Sequence, residues 1–188
     1  MRYGVIFVVL LVIMCIGQEE APELAQEPNE GQLSGEPPEE ELSEEEPIPD
    51  DLIRSMIVMY FEALNQRNLA TLESLTHPFY AEDVQPLLEY IDLNDLSFEI
   101  VAVSFVVDEE DFRELTQNLS DEEFAQQVGR RGLSYELELI VTQGDKIYEE
   151  FFLFMEVGET DEGWKVLDPY LLQLVIEAGL EVIQSQEE

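Results

Sequence analysis

Between Gln18 and Asp51 the chain carries fourteen Asp or Glu, six of its nine prolines, no Lys or Arg and almost no large apolar side chain. A segment of that composition cannot bury enough apolar surface to offset the entropy of ordering it, so no core forms there. Runs such as Glu39-Glu40-Glu41 and Glu44-Glu45-Glu46 repel along the chain, and Pro37, Pro38 and Pro47 favour an extended backbone. The expectation for residues 18–50 is a stretched, disordered acidic tether, reaching roughly 100 Å at the rise of a polyproline helix. Its carboxylates lack the spacing and glycine turn of a calcium loop, so no metal site is expected in it. A fold must come from the flanks, and residues 51–188 have room for one domain.

The charge narrows the partners. The chain has 44 acidic and 8 basic residues, a formal net charge of −36, and the part after Asp51 holds seven of the basic and thirty of the acidic ones. Such a field repels phosphate backbones, which excludes nucleic acid as a partner. It suits a salty exterior, where screening weakens self-repulsion.

Residues 3–17 form an apolar run behind Arg2, stopped by Gln18-Glu19-Glu20. This is the pattern of an export segment, shorter than the ~20 residues that span a bilayer core. Cys15, the one cysteine, ends the run and has no partner for an intrachain disulfide. Val12-Ile13-Met14-Cys15 resembles a lipobox, and Cys-Ile-Gly followed by an acidic linker is similar to archaeal-type surface lipoproteins, which implies lipid attachment at Cys15. Met14 is larger than the residue lipoboxes place before the cysteine. Two alternatives therefore stay open: cleavage after Gly17, with Cys15 and Gly17 as the small residues, and an uncleaved N-terminal helix as anchor. All three put the domain outside the cytoplasm, at the cell envelope. The first and third tie it to the membrane.

Within residues 51–188, Asp50 reads as the N-cap of a helix that carries Ile53, Met56, Ile57, Tyr60, Phe61 and Leu64 at helical spacing and ends near Arg67. Asn68 is placed to cap a second helix, which Thr76-His77-Pro78 breaks before a loop at Phe79-Tyr80, and a third begins near Asp83 with Pro86 in its first turn. Leu96 to Val107, apolar on both faces in its second half, reads as a buried strand. Leu133 to Thr142 alternates as a strand with one wet face; Ile147 to Val157 follows as a third strand, then Trp164 to Asp168 as a short fourth. An acidic insertion, residues 108–131, separates the first two strands, and its Ser120-Asp121-Glu122-Glu123 has the form of a capping box. Tyr170 to Gln184 closes the chain as a helix with Leu171, Leu174, Val175, Ala178 and Val182 on one side. The predicted class is α+β, with N-terminal helices packed in a curved antiparallel sheet as a cone-like roll, plus a C-terminal helix.

Tyr60-Phe61-Glu62-Ala63-Leu64-Asn65 followed by Asn68-Leu69, together with Asp161-Glu162-Gly163-Trp164-Lys165-Val166, resembles the nuclear transport factor 2-like superfamily, which includes the ketosteroid isomerase-like and SnoaL-like proteins. The resemblance implies a cystatin-like α+β roll whose interior serves some members as a pocket with acid–base residues. The candidates for such chemistry are the single histidine, His77, with Tyr80 and Asp83 close in sequence. Against them stands the plainer reading of a loop histidine bonding a helix end, which is preferred, so no catalytic residue is assigned. Tyr60, Tyr148, Phe152, Phe154, Trp164 and Tyr170 are candidates to line a pocket, with plain core as the preferred role.

One histidine and one cysteine leave zinc or iron without ligands, and Asp108-Glu109-Glu110-Asp111 reads as a solvated turn. No phosphate loop, nucleophile elbow or His-Glu-x-x-His occurs. No cofactor and no metal are expected. Asn118-Leu119-Ser120 is a glycosylation sequon. The functional expectation is an exported, envelope-tethered, non-enzymatic domain that binds a protein partner or a second copy. The alternative is a small-ligand binder, or an isomerase- or dehydratase-like enzyme, using the interior of the roll. A filled interior with an exposed apolar face would fit the first; a cavity of ~300–1,000 Å³ would fit the second.

Overall fold

The computed structural model describes residues 48–186; the expected export segment, Cys15 and nearly all of the tether lie outside them. Among the described residues six α-helices and four strands follow in the order α1 (Asp50–Asn65), α2 (Leu69–Leu75), a 3-10 helix (Pro78–Asp83), α3 (Val84–Leu93), β1 (Leu96–Val107), α4 (Glu109–Leu115), α5 (Asp121–Gln127), β2 (Gly132–Gln143), β3 (Lys146–Thr160), β4 (Gly163–Val166) and α6 (Pro169–Gln186). The strands pair antiparallel in the order β1-β2-β3-β4. The class is α+β, with an antiparallel sheet and helices on both sides of it in the chain order.

One face of the sheet makes the core. Leu133, Tyr135, Leu137, Leu139 and Val141 of β2 are all buried, as are Tyr148, Phe151, Leu153, Met155 and Val157 of β3. They share one apolar cluster with Ile53, Ile57, Tyr60, Phe61 and Leu64 of α1, Leu87 and Ile91 of α3, and Leu172, Ile176 and Leu180 of α6. A second, small cluster of Phe112, Phe124, Val128 and Leu167 holds the insertion helices to one end of the sheet. They seat there because Gly132 and Gly158 are paired across β2 and β3. A Cβ on Gly132 would stand 2.4 Å from the Phe112 ring, and one on Gly158 2.0 Å from the Val128 carbonyl oxygen.

Both edges of the sheet are capped in part. Along β1, the Asn65 side chain accepts from the Phe98 N–H at 2.9 Å and donates to the Phe98 carbonyl at 2.7 Å, substituting for a neighbouring strand. Arg54 donates to the Val103 carbonyl and Arg67 to that of Leu96, the latter at 2.9 Å. At the other edge Thr76 bridges Val166, and the His77 N–H donates to the Val166 carbonyl at 2.9 Å. Unpaired edges invite aggregation, and here helix side chains and one loop occupy part of each.

Five expectations are corrected. Asp108-Glu109-Glu110-Asp111 is not a solvated turn: it opens α4, the Asp108 carboxylate accepting from the Asp111 N–H at 3.0 Å. Asp50 is the first helical residue rather than the cap; its carboxylate pairs with Arg54 at 2.7 Å and accepts from the Tyr135 hydroxyl at 2.9 Å. The break at Phe79-Tyr80 is a 3-10 helix. β1 is an edge strand with an exposed second half, because bulges at Val101 and Val106 turn those valines to solvent and create the two-faced apolar pattern. On α6 the buried side runs through Leu172, Ile176 and Leu180, while Leu171 and Leu174 face water. The Asn68 cap accepts from the Thr71 N–H, and the Ser120–Glu123 capping box is complete, as expected.

Candidate functional site

His77 belongs to structure before chemistry. Its ring caps the 3-10 helix, Nδ1 accepting from the Phe79 N–H at 3.2 Å, and it stands edge-on to Tyr80 at 6.0 Å between centroids. Burial, then the positive charge of Lys165, lowers its pKa, so the ring is neutral with Nε2 as the remaining N–H. No His77–Asp83 pair forms: Asp83 is the residue at the N-terminus of α3 and makes no side-chain cap bond.

Tyr80 packs against the small cluster of Phe112, Phe124, Val128 and Leu167, within the field of several carboxylates. Its hydroxyl is pushed up to about 12 by burial and by the charges of Asp168, Glu156 and Asp83. Glu156 is itself raised, by burial and then by Asp168. Asp168 has a separate task as the cap of α6, accepting from the Leu171 N–H at 2.8 Å. Sequence reasoning missed this trio because its members lie in three separate segments. The cap was readable, since Asp168-Pro169 is a helix-start pattern.

The six aromatic candidates do not converge. Tyr60, Tyr148 and Trp164 are buried, whereas Phe152, Phe154 and Tyr170 are exposed. The cause is a bulge in β3: Leu139 faces Phe151 and Val141 faces Tyr148, so Glu149 and Glu150 oppose a single residue, with Glu150 at φ 57°. The extra residue reverses the inward parity beyond it. Tyr148 stays inside, Phe151 enters the core, and Phe152 and Phe154 point out. Burial drives the hydroxyl of Tyr60 well above the phenol range, and it faces Thr76.

Two clefts border the insertion, away from the space between sheet and α1. One, about 650 Å³, is lined among others by His77, Arg113, Phe124, Arg130, Glu159 and Asp161. The other, about 1400 Å³, runs past Ile48, Glu110, Arg113, Gln117 and Arg131. Their cations are committed: Arg113 binds Asp121 and lies 4.1 Å over the Phe124 ring, and Arg131 binds Glu159 at 2.6 Å and lies 5.5 Å from the centre of Trp164. In the larger cleft the Ser120 hydroxyl donates to the Glu123 carboxylate at 2.7 Å, as part of the capping box that starts α5. Asn118 is exposed on the turn between α4 and α5.

The largest unspent feature is the outer face of the sheet. Phe152 and Phe154 lie across from Glu138 and Glu136, which in turn lie across from Ala102 and Ser104. The insertion covers only the end near Gly132 and Gly158. Among the described residues no group of three or more His, Cys, Asp or Glu is arranged to hold a metal ion, and no helix is long and apolar enough to cross a membrane. Comparison with protein-family models finds none that matches the chain, and comparison with curated proteins finds no match.

Proposed function

We propose that this is an exported, envelope-tethered, non-enzymatic binding domain of nuclear transport factor 2-like shape, which docks a protein partner on the outer face of its sheet. The observation that carries the reading is the pair Phe152 and Phe154, each 37% exposed on a strand whose other face is fully buried. The bulge at Glu150 puts Phe151, Leu153 and Met155 in the core and leaves these two rings on the outer face. Such anchors are the residues that dominate interface energetics when covered. The glutamates beside them favour a partner with Lys or Arg around an apolar centre over a second copy of a domain this acidic. Export and lipid attachment at Cys15 rest on the N-terminal pattern alone, and the stalk would hold this face clear of the membrane.

The test is native mass spectrometry of the full-length chain purified from its own cells in detergent, parent against a Phe152→Ser/Phe154→Ser variant. A hetero-complex in the parent that the variant lacks is the expected result. A bare monomer in both, or a small-molecule adduct that both keep, contradicts the reading.

A further inference from the structure

α6 carries two apolar stripes where a surface helix needs one. The first, Leu172, Ile176 and Leu180, is buried in the core. The second, Leu171, Leu174, Ala178 and Val182, follows the spacing i, i+3, i+7, i+11 and is turned by roughly 155° from the first at 3.6 residues per turn. Leu171 is 42% exposed and Leu174 40%. The path of the helix keeps this stripe free. Leu167 N–H donates to the Glu156 carbonyl at 2.9 Å, Asp168 lies near Glu156, and a Cβ on Gly179 would stand 2.5 Å from Phe151. From Asp168 to Gly179 the helix rises about 16 Å, and from Glu156 to Phe151 the strand spans about the same. α6 therefore runs antiparallel alongside β3, spending its first stripe on the core and leaving Leu171 and Leu174 of the second exposed, with Ala178 and Val182 half-buried.

Charge says what kind of occupant fits. Glu177 and Glu181 stand on the shoulder of the exposed stripe, on the side toward Tyr90 of α3, whose hydroxyl both of them influence. No Lys or Arg follows Lys165 anywhere in the sequence. A second copy would set these glutamates against their own counterparts with no cation on the helix to offset them. The acidic residues 18–51 carry the same wrong sign. We infer that the Leu171–Leu174–Ala178–Val182 stripe receives an amphipathic helix of a partner protein, one whose apolar residues are edged by Lys or Arg. The spacing is that of a helix-in-groove contact, the short Ala178 leaves a hole for a larger side chain, and the flanking charges set orientation and partner choice. This contact uses none of the residues of the proposed sheet-face interaction and stands or falls separately.

The experiment uses the full-length chain in phosphatidylcholine nanodiscs at 150 mM salt, as screening conditions require, with empty discs as baseline. The probe is a fluorescent 18-residue peptide with a leucine stripe edged by lysines, read by anisotropy beside a glutamate-edged version and a scrambled one. The expected result is saturable binding of the lysine-edged helix, at least tenfold weaker for the scrambled peptide and about a hundredfold weaker for the glutamate-edged one, on the arithmetic of tenfold steps per lost contact. Leu174→Glu should weaken it at least tenfold with an unchanged unfolding temperature. Leu171→Ser, a milder change, should do so in part. Phe152→Ser/Phe154→Ser should leave it intact. Scrambled and ordered peptides binding alike, or both α6 variants binding like the parent, would overturn the inference. So would a dimer of the chain in the discs that Leu174→Glu dissociates, since the occupant would then be a second copy. Loss of binding in the β3 variant alone would move the peptide to the sheet face and also overturn it.

Discussion

Phe151 and Phe152 are the same side chain on consecutive residues of one strand, yet the first is 2% exposed and the second 37%. Phe151 packs against α6 at Gly179 and belongs to the main cluster; Phe152 lies on the outer face across from Glu138. The difference is made three bonds upstream, where the bulge at Glu149-Glu150 shifts the register by one residue. What it teaches is that apolar content does not sort a strand into core and surface. Parity does, and a single inserted residue resets it. The inner face stabilises the molecule, and the outer face is available for something else.

The sharpest way to break that contrast is to truncate each ring in turn. Phe151→Ala should cost about 3–5 kcal/mol in denaturant unfolding, a large share of a typical domain's stability, because it opens a cavity that α6 cannot fill. Phe152→Ala should change stability by no more than about 0.5 kcal/mol, as surface substitutions do. Comparable losses at the two positions would mean that the parity is wrong. Next in size comes the edge of the sheet. Asn65→Ala removes both bonds to Phe98 and should cost about 1–3 kcal/mol, with faster amide exchange at Phe98 as the local signature. The insertion gives a smaller effect: Ser120→Ala removes the capping box and should cost about 1 kcal/mol.

The smallest effect is a pH dependence, with opposite signs at two sites. Burial and Asp168 raise the pKa of Glu156, so the fold favours its protonated form. That contribution is fully present below the ordinary carboxyl value of 4.5 and is lost as pH rises through the raised pKa. Glu156→Gln should thus be more stable than the parent at neutral pH, with the gap closing on acidification. His77 is lowered, so its contribution is present above 6.5 and is lost as pH falls through the depressed value. A His77→Gln variant should flatten that loss in pH-dependent thermal unfolding.

Much of the fold was legible because periodicity and caps are local. Ile53 to Leu64 mark one face of α1, Asn68 and Ser120 start helices, and the alternation of Leu133 to Val141 gives β2 its buried side. The errors share a physical cause, which is that bulges and edges depend on partners distant in sequence. Val101 and Val106 look like interior residues until the ladder to β2 passes them over. Phe152 and Phe154 share a parity with Tyr148 that Glu150 breaks. α6 presents two apolar stripes of similar length, and choosing the buried one requires knowing that Gly179 meets Phe151. At the candidate site the same limit applies: His77 and Asp83 are close in sequence and do not pair, whereas Tyr80, Glu156 and Asp168 come together from three segments.

The central claim is that the outer face of β3 is a contact surface in the cell. It is tested most directly by placing a photoreactive phenylalanine analogue at Phe154 of the full-length chain, with the same analogue at the exposed Phe79 as control, and irradiating the cells that make it. The account predicts one discrete crosslinked protein from position 154, richer in Lys and Arg than this chain, that position 79 does not give. Crosslinks from 154 that contain only this chain, or the same diffuse products from both positions, would contradict it.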